Sequence, residues 1–247
     1  RRQRQMCIRD SSYLFYFSSL FLCLFLAYWG SRYYLKSLIY LLILFLACIT
    51  GFRGYEVGID TFNYVEIWNG ILVGKPVYVE PGFQWLICFI QKIATSPTVL
   101  FFTCSLITYS CFVLRLWDFK NIASFPLMIA ILFMLVLMPS MNVMRQYCAI
   151  AIIFYSTRFL FRKKYAKYIV GIVLASLLHY SALIAISFWG FELLEWKNLT
   201  LLKRRFYLIL IVVLLFFAQM IYFFVMTEYG HYLSLIHISE PTRRTPI

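Results

Sequence analysis

Residues 122–139 read IASFPLMIAILFMLVLMP, eighteen positions without a charged side chain. A transmembrane helix needs about 20 predominantly apolar residues, so this stretch has the character of a span. Comparable runs lie at 12–29, 35–52, 97–117, 143–161, 168–190 and 206–226, with a shorter one at 83–94. The run at 83–94 is too short to cross easily, even with tilt, and reads as re-entrant or half-buried. The whole chain of 247 residues is 63% hydrophobic and 13% charged, with a mean hydropathy of +0.80. A soluble domain is roughly 45–50% apolar and about 25% charged, so a water-soluble globule is excluded. Disordered chains are polar and charge-rich, and are excluded by the same figures. The expected fold is all-α: a polytopic helical membrane protein with seven or eight hydrophobic segments.

The ends read differently. Residues 1–11, RRQRQMCIRDS, and 233–243, LSLIHISEPTR, resemble translations of the two transposase adapters used in tagmentation sequencing libraries. Such segments are set aside from fold reasoning. The expectation is that 1–11 and 233–247 are adapter-derived and that 12–232 is a single transmembrane domain, a fragment of a longer chain. The formal charge of +13 then loses Arg1, Arg2, Arg4, Arg9, Arg243 and Arg244, with Asp10 and Glu240. That leaves 17 basic and 8 acidic residues, a charge of +9, and no basic arm for nucleic acid. The seven cysteines show no CxxC or His/Cys ligand spacing. Most sit in apolar runs, where a thiol acts as a small hydrophobe. Neither a disulfide framework, a metal site nor a cofactor is read from them.

The long polar connection, 53–82, holds Glu56, Asp60, Glu66 and Glu80. In so lean a membrane protein a long polar loop is where function is sought. Lys/Arg counts in short loops set orientation. Arg162, Lys163, Lys164 and Lys167 mark the cytoplasmic side, which Arg115/Lys120 and Arg32/Lys36 share if 83–94 does not cross. The 53–82 loop and the Pro139–Arg145 turn then face outward. Lys197, Lys203, Arg204 and Arg205 oppose this orientation.

Four groups of residues carry candidate chemistry. In Arg53…Gly58-Ile-Asp60…Tyr64, Arg53 reads either as an interfacial snorkel or as a ligand for phosphate oxygens, which its planar fork binds in pairs. Asp60 reads either as the N-cap of a helix over Thr61–Leu72, with Phe62, Val65 and Trp68 or Asn69 on a partly apolar face, or as a proton acceptor. In Asn142-Val-Met-Arg145-Gln146, Arg145 and Gln146 fall in the opening turn of an apolar helix. There they serve as an interfacial anchor or face a cavity, beside a helix N-terminus suited to anions. His179, within the 168–190 run, makes an interhelical hydrogen bond or acts as a base or phosphate donor. Glu80, in Glu80-Pro-Gly-Phe83, is a fourth candidate or simply the cap of the next segment.

In this order the motifs resemble the EpsG-like family of bacterial polysaccharide polymerases, functionally akin to the Wzy polymerases. The resemblance rests on Arg53…Gly58-Ile-Asp60…Tyr64, Glu80-Pro-Gly-Phe83, Asn142-Val-Met-Arg145-Gln146…Ala149 and His179-Tyr-Ser181-Ala182. It implies a glycosyltransferase-type enzyme of the bacterial cytoplasmic membrane. That enzyme polymerises undecaprenyl-pyrophosphate-linked repeat units into exopolysaccharide, capsule or O-antigen at the outer face. It implies Asp60 or His179 as base or acceptor-positioning group and Arg53 and Arg145 on the pyrophosphate. Asn142, Gln146, Tyr64 and Glu80 stand as further substrate-binding candidates, and no metal or other cofactor is called for. The implied partners are the lipid-linked oligosaccharide, the bilayer and other polysaccharide export proteins. A flippase for lipid-linked oligosaccharide, and a membrane O-acyltransferase acting on surface glycans, are the competing readings.

Overall fold

The computed structural model describes residues 2–58, 60–193 and Thr200. Its elements are α1 (Arg2–Arg32), α2 (Lys36–Gly51), α3 (Thr61–Leu72), α4 (Pro81–Gln91), α5 (Thr98–Trp117), α6 (Phe125–Asn142), α7 (Met144–Phe161), α8 (Tyr165–Leu178), a 3₁₀ turn (Tyr180–Ala185) and α9 (Ile186–Leu193). No strand occurs among the described residues, and the protein is an all-α, membrane-type helical protein. The chain divides into two compact units, Arg1–Trp189 and Gly190–Ile247. The 206–226 run, the basic residues at 197–205 and the adapter-like tail at 233–247 lie outside the described residues.

Three described segments are long and apolar enough to cross a membrane: Tyr13–Arg32 within α1, then α5 and α6. The other runs yield less than their hydropathy promises. The 35–52 run becomes α2, 16 residues and about 24 Å at 1.5 Å per residue. The 83–94 run becomes α4, 11 residues and about 16 Å, half the depth of a hydrocarbon core. The 168–190 run breaks at His179, whose backbone is extended (φ −159°, ψ 119°), into α8, the 3₁₀ turn and α9. His179 therefore sits at a helix break rather than deep in a continuous span. Pro139 lies inside α6, which runs on to Asn142, so α6 and α7 are separated by Val143 alone.

Two large apolar cores, with two smaller ones that pack α8 and the 3₁₀ turn on α7, hold the first unit together. The larger joins α1, α2, α5 and α6 through Leu26, Leu42, Leu46, Tyr109, Val113, Ile129 and Leu132. The backbones of α2 and α5 meet closely: a Cβ at Gly51 would lie 2.5 Å from the Cα of Phe102. Small residues at such contacts let helices approach where lipid offers no hydrophobic driving force between them. The second core seats α3 and α4 on α5 and α7, using Tyr64, Trp68, Phe83, Ile87, Leu100, Phe101, Met144 and Cys148. On α3 the buried stripe is Thr61, Tyr64 and Trp68, whereas Phe62 is exposed, a shift of one residue from the expected face.

The helix ends segregate into two sets. At one, Arg158 donates to both carboxylate oxygens of Asp118 (2.6 and 2.8 Å), Arg115 donates to Asp118 (3.0 Å) and to Thr157 (3.0 Å), and Lys120 stacks on Trp117 and Tyr34. The turns α1–α2 and α7–α8 close with Leu35 N–H on the Gly30 carbonyl and Lys164 N–H on the Phe159 carbonyl, which satisfies terminal helix acceptors. At the other end, the 53–82 connection meets the α6–α7 junction and the end of α8. The two loops expected to share a side do share one.

Candidate functional site

The most demanding feature of that end is a buried carboxylate. Glu80 is 7% exposed and occupies the N-cap position of α4, where Pro81 opens the helix with a preset φ and no missing bond. Its carbonyl accepts the Gln84 N–H (3.0 Å), but its carboxylate does not cap the helix. Instead Oε2 accepts a hydrogen bond from Arg145 Nη1, and Oε1 accepts one from His179 Nδ1 at 2.7 Å. Three segments, at positions 80, 145 and 179, thus converge on one carboxyl group. An isolated buried carboxylate is costly, and one paired on both oxygens is not.

Local sequence explains the convergence. Arg145 lies in the first turn of α7, directly after the Val143 break. Its guanidinium stands 5.5 Å from the Phe83 ring centre and 5.9 Å from that of Tyr64, two rings of the α3–α4 hairpin. His179 reaches Glu80 because α8 ends at Leu178 and because α4 lies almost in contact with it. A Cβ at Gly82 would fall 2.5 Å from Leu177 Cβ and 2.7 Å from the Leu177 carbonyl oxygen. Gly82→Ala is expected to push these segments apart at a cost of about 1–3 kcal/mol, the range for overpacking. Thermal unfolding in detergent would show the loss, and an unchanged midpoint would mean the approach is slack.

The electrostatics fix the proton positions. Burial alone would raise the Glu80 carboxyl, but a backbone N–H, the Arg145 guanidinium and the His179 imidazole outweigh it, so Glu80 titrates below its ordinary value. An ionised carboxylate only accepts, so Nδ1 of His179 carries the hydrogen in the bond to Glu80. A carboxyl whose folded pKa is depressed stabilises the fold above its unfolded value, near 4.3, and loses that contribution as pH falls through the folded value. The difference in unfolding midpoint between the parent chain and Glu80→Gln should therefore persist from pH 7 down to about 4.5 and shrink below it. A constant difference down to pH 2 would show that the carboxylate charge is irrelevant.

A cleft of about 450 Å³ opens beside this cluster, lined by Tyr78, Val79, Glu80, Arg145 and Tyr180. The Arg145 and His179 side chains keep 25% and 29% of their surface exposed, so donors remain available to a ligand. Arg145 Nε, by contrast, is buried without a partner among the described residues.

The other predicted residues are placed elsewhere. Arg53 is 7% exposed and neither snorkels nor lines this cleft. Its Nη1 donates to the Thr50 carbonyl (2.8 Å), Nη2 to the Met141 carbonyl (2.9 Å) and Nε to Thr61 Oγ1 (3.4 Å), and it stacks 4.6 Å from the Phe101 ring centre. Both carbonyls belong to the last turns of helices, α2 and α6, where the helix dipole is negative. Gly58 (φ +92°) brings the loop against the same junction, since a Cβ there would meet Asn142 Oδ1 at 2.8 Å. Asp60 precedes the helix over Thr61–Leu72 as expected but makes no side-chain cap; its carboxylate accepts from Asn63 Nδ2 (3.4 Å). Tyr64 is buried against Phe83, and Gln146 is half-buried beside Arg145. Of the eight candidates, Glu80, Arg145 and His179 form one bonded cluster, with Tyr64 packed at its edge. Tyr78 and Tyr180, cleft residues, were not singled out in the sequence, although Tyr180 follows His179 directly.

The family model of the EpsG family matches residues 36–247, which includes every one of these positions. No curated protein and no solved structure matches the chain.

Proposed function

The chain belongs to the EpsG family, which is associated with polysaccharide biosynthesis, and we propose that the Arg145–Glu80–His179 cluster is the reaction centre of a polysaccharide polymerase. The observation that carries this reading is Glu80, a buried carboxylate that holds a histidine by Nδ1 and an arginine by Nη1, and that lines a cleft together with that arginine. The substrates are repeat units linked to undecaprenyl pyrophosphate in the bacterial cytoplasmic membrane, with this end of the bundle outward.

In the reaction, Nε2 of His179 takes the proton from a hydroxyl of the incoming unit's nonreducing sugar. That oxygen forms a bond to the anomeric carbon of the growing chain, and the bond from that carbon to pyrophosphate breaks. The leaving undecaprenyl pyrophosphate keeps the electron pair. Arg145, whose side chain keeps 25% of its surface exposed while Nη1 is directed at Glu80, supplies charge-assisted hydrogen bonds to it. Glu80 sets the tautomer of His179 and stabilises the imidazolium once the proton arrives, the work done by a carboxylate behind any histidine base. The cluster gains one positive charge as the pyrophosphate oxygen becomes anionic, so proton transfer and leaving-group stabilisation reinforce each other. Arg53 is assigned a different part: it clamps α2, the 53–61 loop and α6 so that α7 starts where Arg145 meets Glu80. Asp60 is left as an acceptor-positioning candidate.

Deleting the gene distinguishes the readings. A polymerase deletion accumulates single lipid-linked units on the outer leaflet, whereas a flippase deletion accumulates them on the inner leaflet. Inner-leaflet accumulation, or loss of acyl groups from polymer of normal length, would overturn the proposal.

A further inference from the structure

A second groove lies next to the cleft and shares a wall with it. Its floor is one face of α3, with Asn63, Glu66 and Gly70 spaced at i, i+3 and i+7, covered by the returning segment Lys75–Tyr78. The chain turns back through Gly74 (φ +71°), with the Lys75 N–H on the Gly70 carbonyl at 2.9 Å. Gly70 leaves room for the return, since a Cβ there would stand 3.0 Å from Val77 Cγ2. The groove encloses about 300 Å³. Tyr78 is 99% exposed and borders both this groove and the cleft holding Glu80 and Arg145.

The chemistry of the groove selects among ligands. One carboxylate beside one ammonium, Glu66 and Lys75, gives no net charge to attract a phosphate and too few oxygen donors for a divalent cation. Neither residue is in an ion pair among the described residues, so both keep their hydrogen-bonding capacity. Asn63 gives one Nδ2 hydrogen to Asp60 and retains its carbonyl oxygen. Amide, carboxylate and ammonium groups beside a valine, with an exposed tyrosine at the border, suit a ring with hydroxyls at its edge and a C–H face. That is a pyranose. Tyr78 and Glu80 are two residues apart, at most about 7 Å between their Cα atoms in an extended chain, and Tyr78 borders the cleft that Glu80 and Arg145 line.

We infer that Tyr78, with Asn63, Glu66 and Lys75, forms a sugar-binding subsite that presents one pyranose of the repeat unit to the Arg145–Glu80–His179 cluster. Tyr78 is the platform and a positioning residue; the inference rests on the polymerase reading for the identity of the sugar's owner. The test uses the full chain in lipid nanodiscs, with a panel of methyl hexopyranosides and methyl N-acetylhexosaminides as probes, read by saturation-transfer NMR. At least one glycoside should receive saturation from the parent chain. Tyr78→Ala should weaken its binding about tenfold, Tyr78→Trp should keep it within about twofold, and Glu66→Gln should weaken it severalfold. Tyr78 is so exposed that its replacement leaves packing untouched. Absence of transfer from every glycoside, or equal binding by Tyr78→Ala, overturns the subsite. Polymer made at the normal level by Arg145→Gln cells overturns the polymerase reading instead, whatever the groove binds.

Discussion

His179→Gln in the full-length protein is expected to reduce polymer formation in cells by about 10²–10⁴-fold, the usual worth of a positioned general base. Glutamine retains an amide donor for Glu80, so the carboxylate stays partnered and the fold is preserved, while no nitrogen with a usable basicity remains. In the proposed mechanism the step that suffers is deprotonation of the acceptor hydroxyl. Single lipid-linked units should accumulate, and their binding should be close to normal. Arg145→Gln should fail in another way, since in the proposed mechanism it removes the charge that meets the leaving pyrophosphate. One preorganised electrostatic donor of that kind is worth about 10²–10³-fold. A His179→Gln strain that makes polymer of normal length and yield would remove the histidine from the mechanism and return the base assignment to Asp60.

The second large effect concerns stability. Arg53→Ala is expected to lower the unfolding free energy in detergent by about 2–5 kcal/mol, because two buried helix-terminal carbonyls lose their donors at once. The carbonyls of Thr50 and Met141 sit on different helices, 91 residues apart in the chain, and Arg53 reaches both with separate nitrogens. A lysine carries the charge but not the fork, so Arg53→Lys should recover only part of the loss. This experiment also decides between two roles. If Arg53 gripped pyrophosphate, the alanine variant would unfold at the parent temperature and fail only in polymer formation.

What was legible in the sequence was what local chemistry decides. Hydropathy located the helices, and the helix starts after Asp60 and Glu80 fall at the expected positions, the second on Pro81, although neither carboxylate caps its helix. Arg145 in the first turn of α7 was legible because a polar pair at the head of an apolar run has few other places to be. The break at His179 was not legible. The run around it is continuously apolar, has no proline, and has glycines only at 171 and 190, so nothing local stops a helix. The stop comes from a partner 99 positions earlier: His179 bonds Glu80, and Gly82 admits α4 against Leu177. The role of Arg53 was hidden for the same reason. An arginine after an apolar helix looks identical whether it turns out to water or inward to the carbonyl of residue 141. The family motifs flagged Glu80, Arg145 and His179 as separate marks along the chain, and only tertiary structure joins them through one carboxyl group.

The short helix α4 has one more consequence, for measuring how the molecule sits in its bilayer. Phe83, Ile87 and Ile90 bind it to the protein, while Trp85, Cys88 and Phe89 look outward. Cys88 is exposed, whereas Cys23, Cys48, Cys104, Cys111 and Cys148 are buried or partly so. It is a native reporter, eight residues from the carboxylate on which the cluster is built. A membrane-impermeant maleimide added to intact cells, and then to inverted vesicles, would read from this thiol which leaflet the Arg145–Glu80–His179 cluster borders and whether α4 rides in the headgroups or lies submerged among acyl chains.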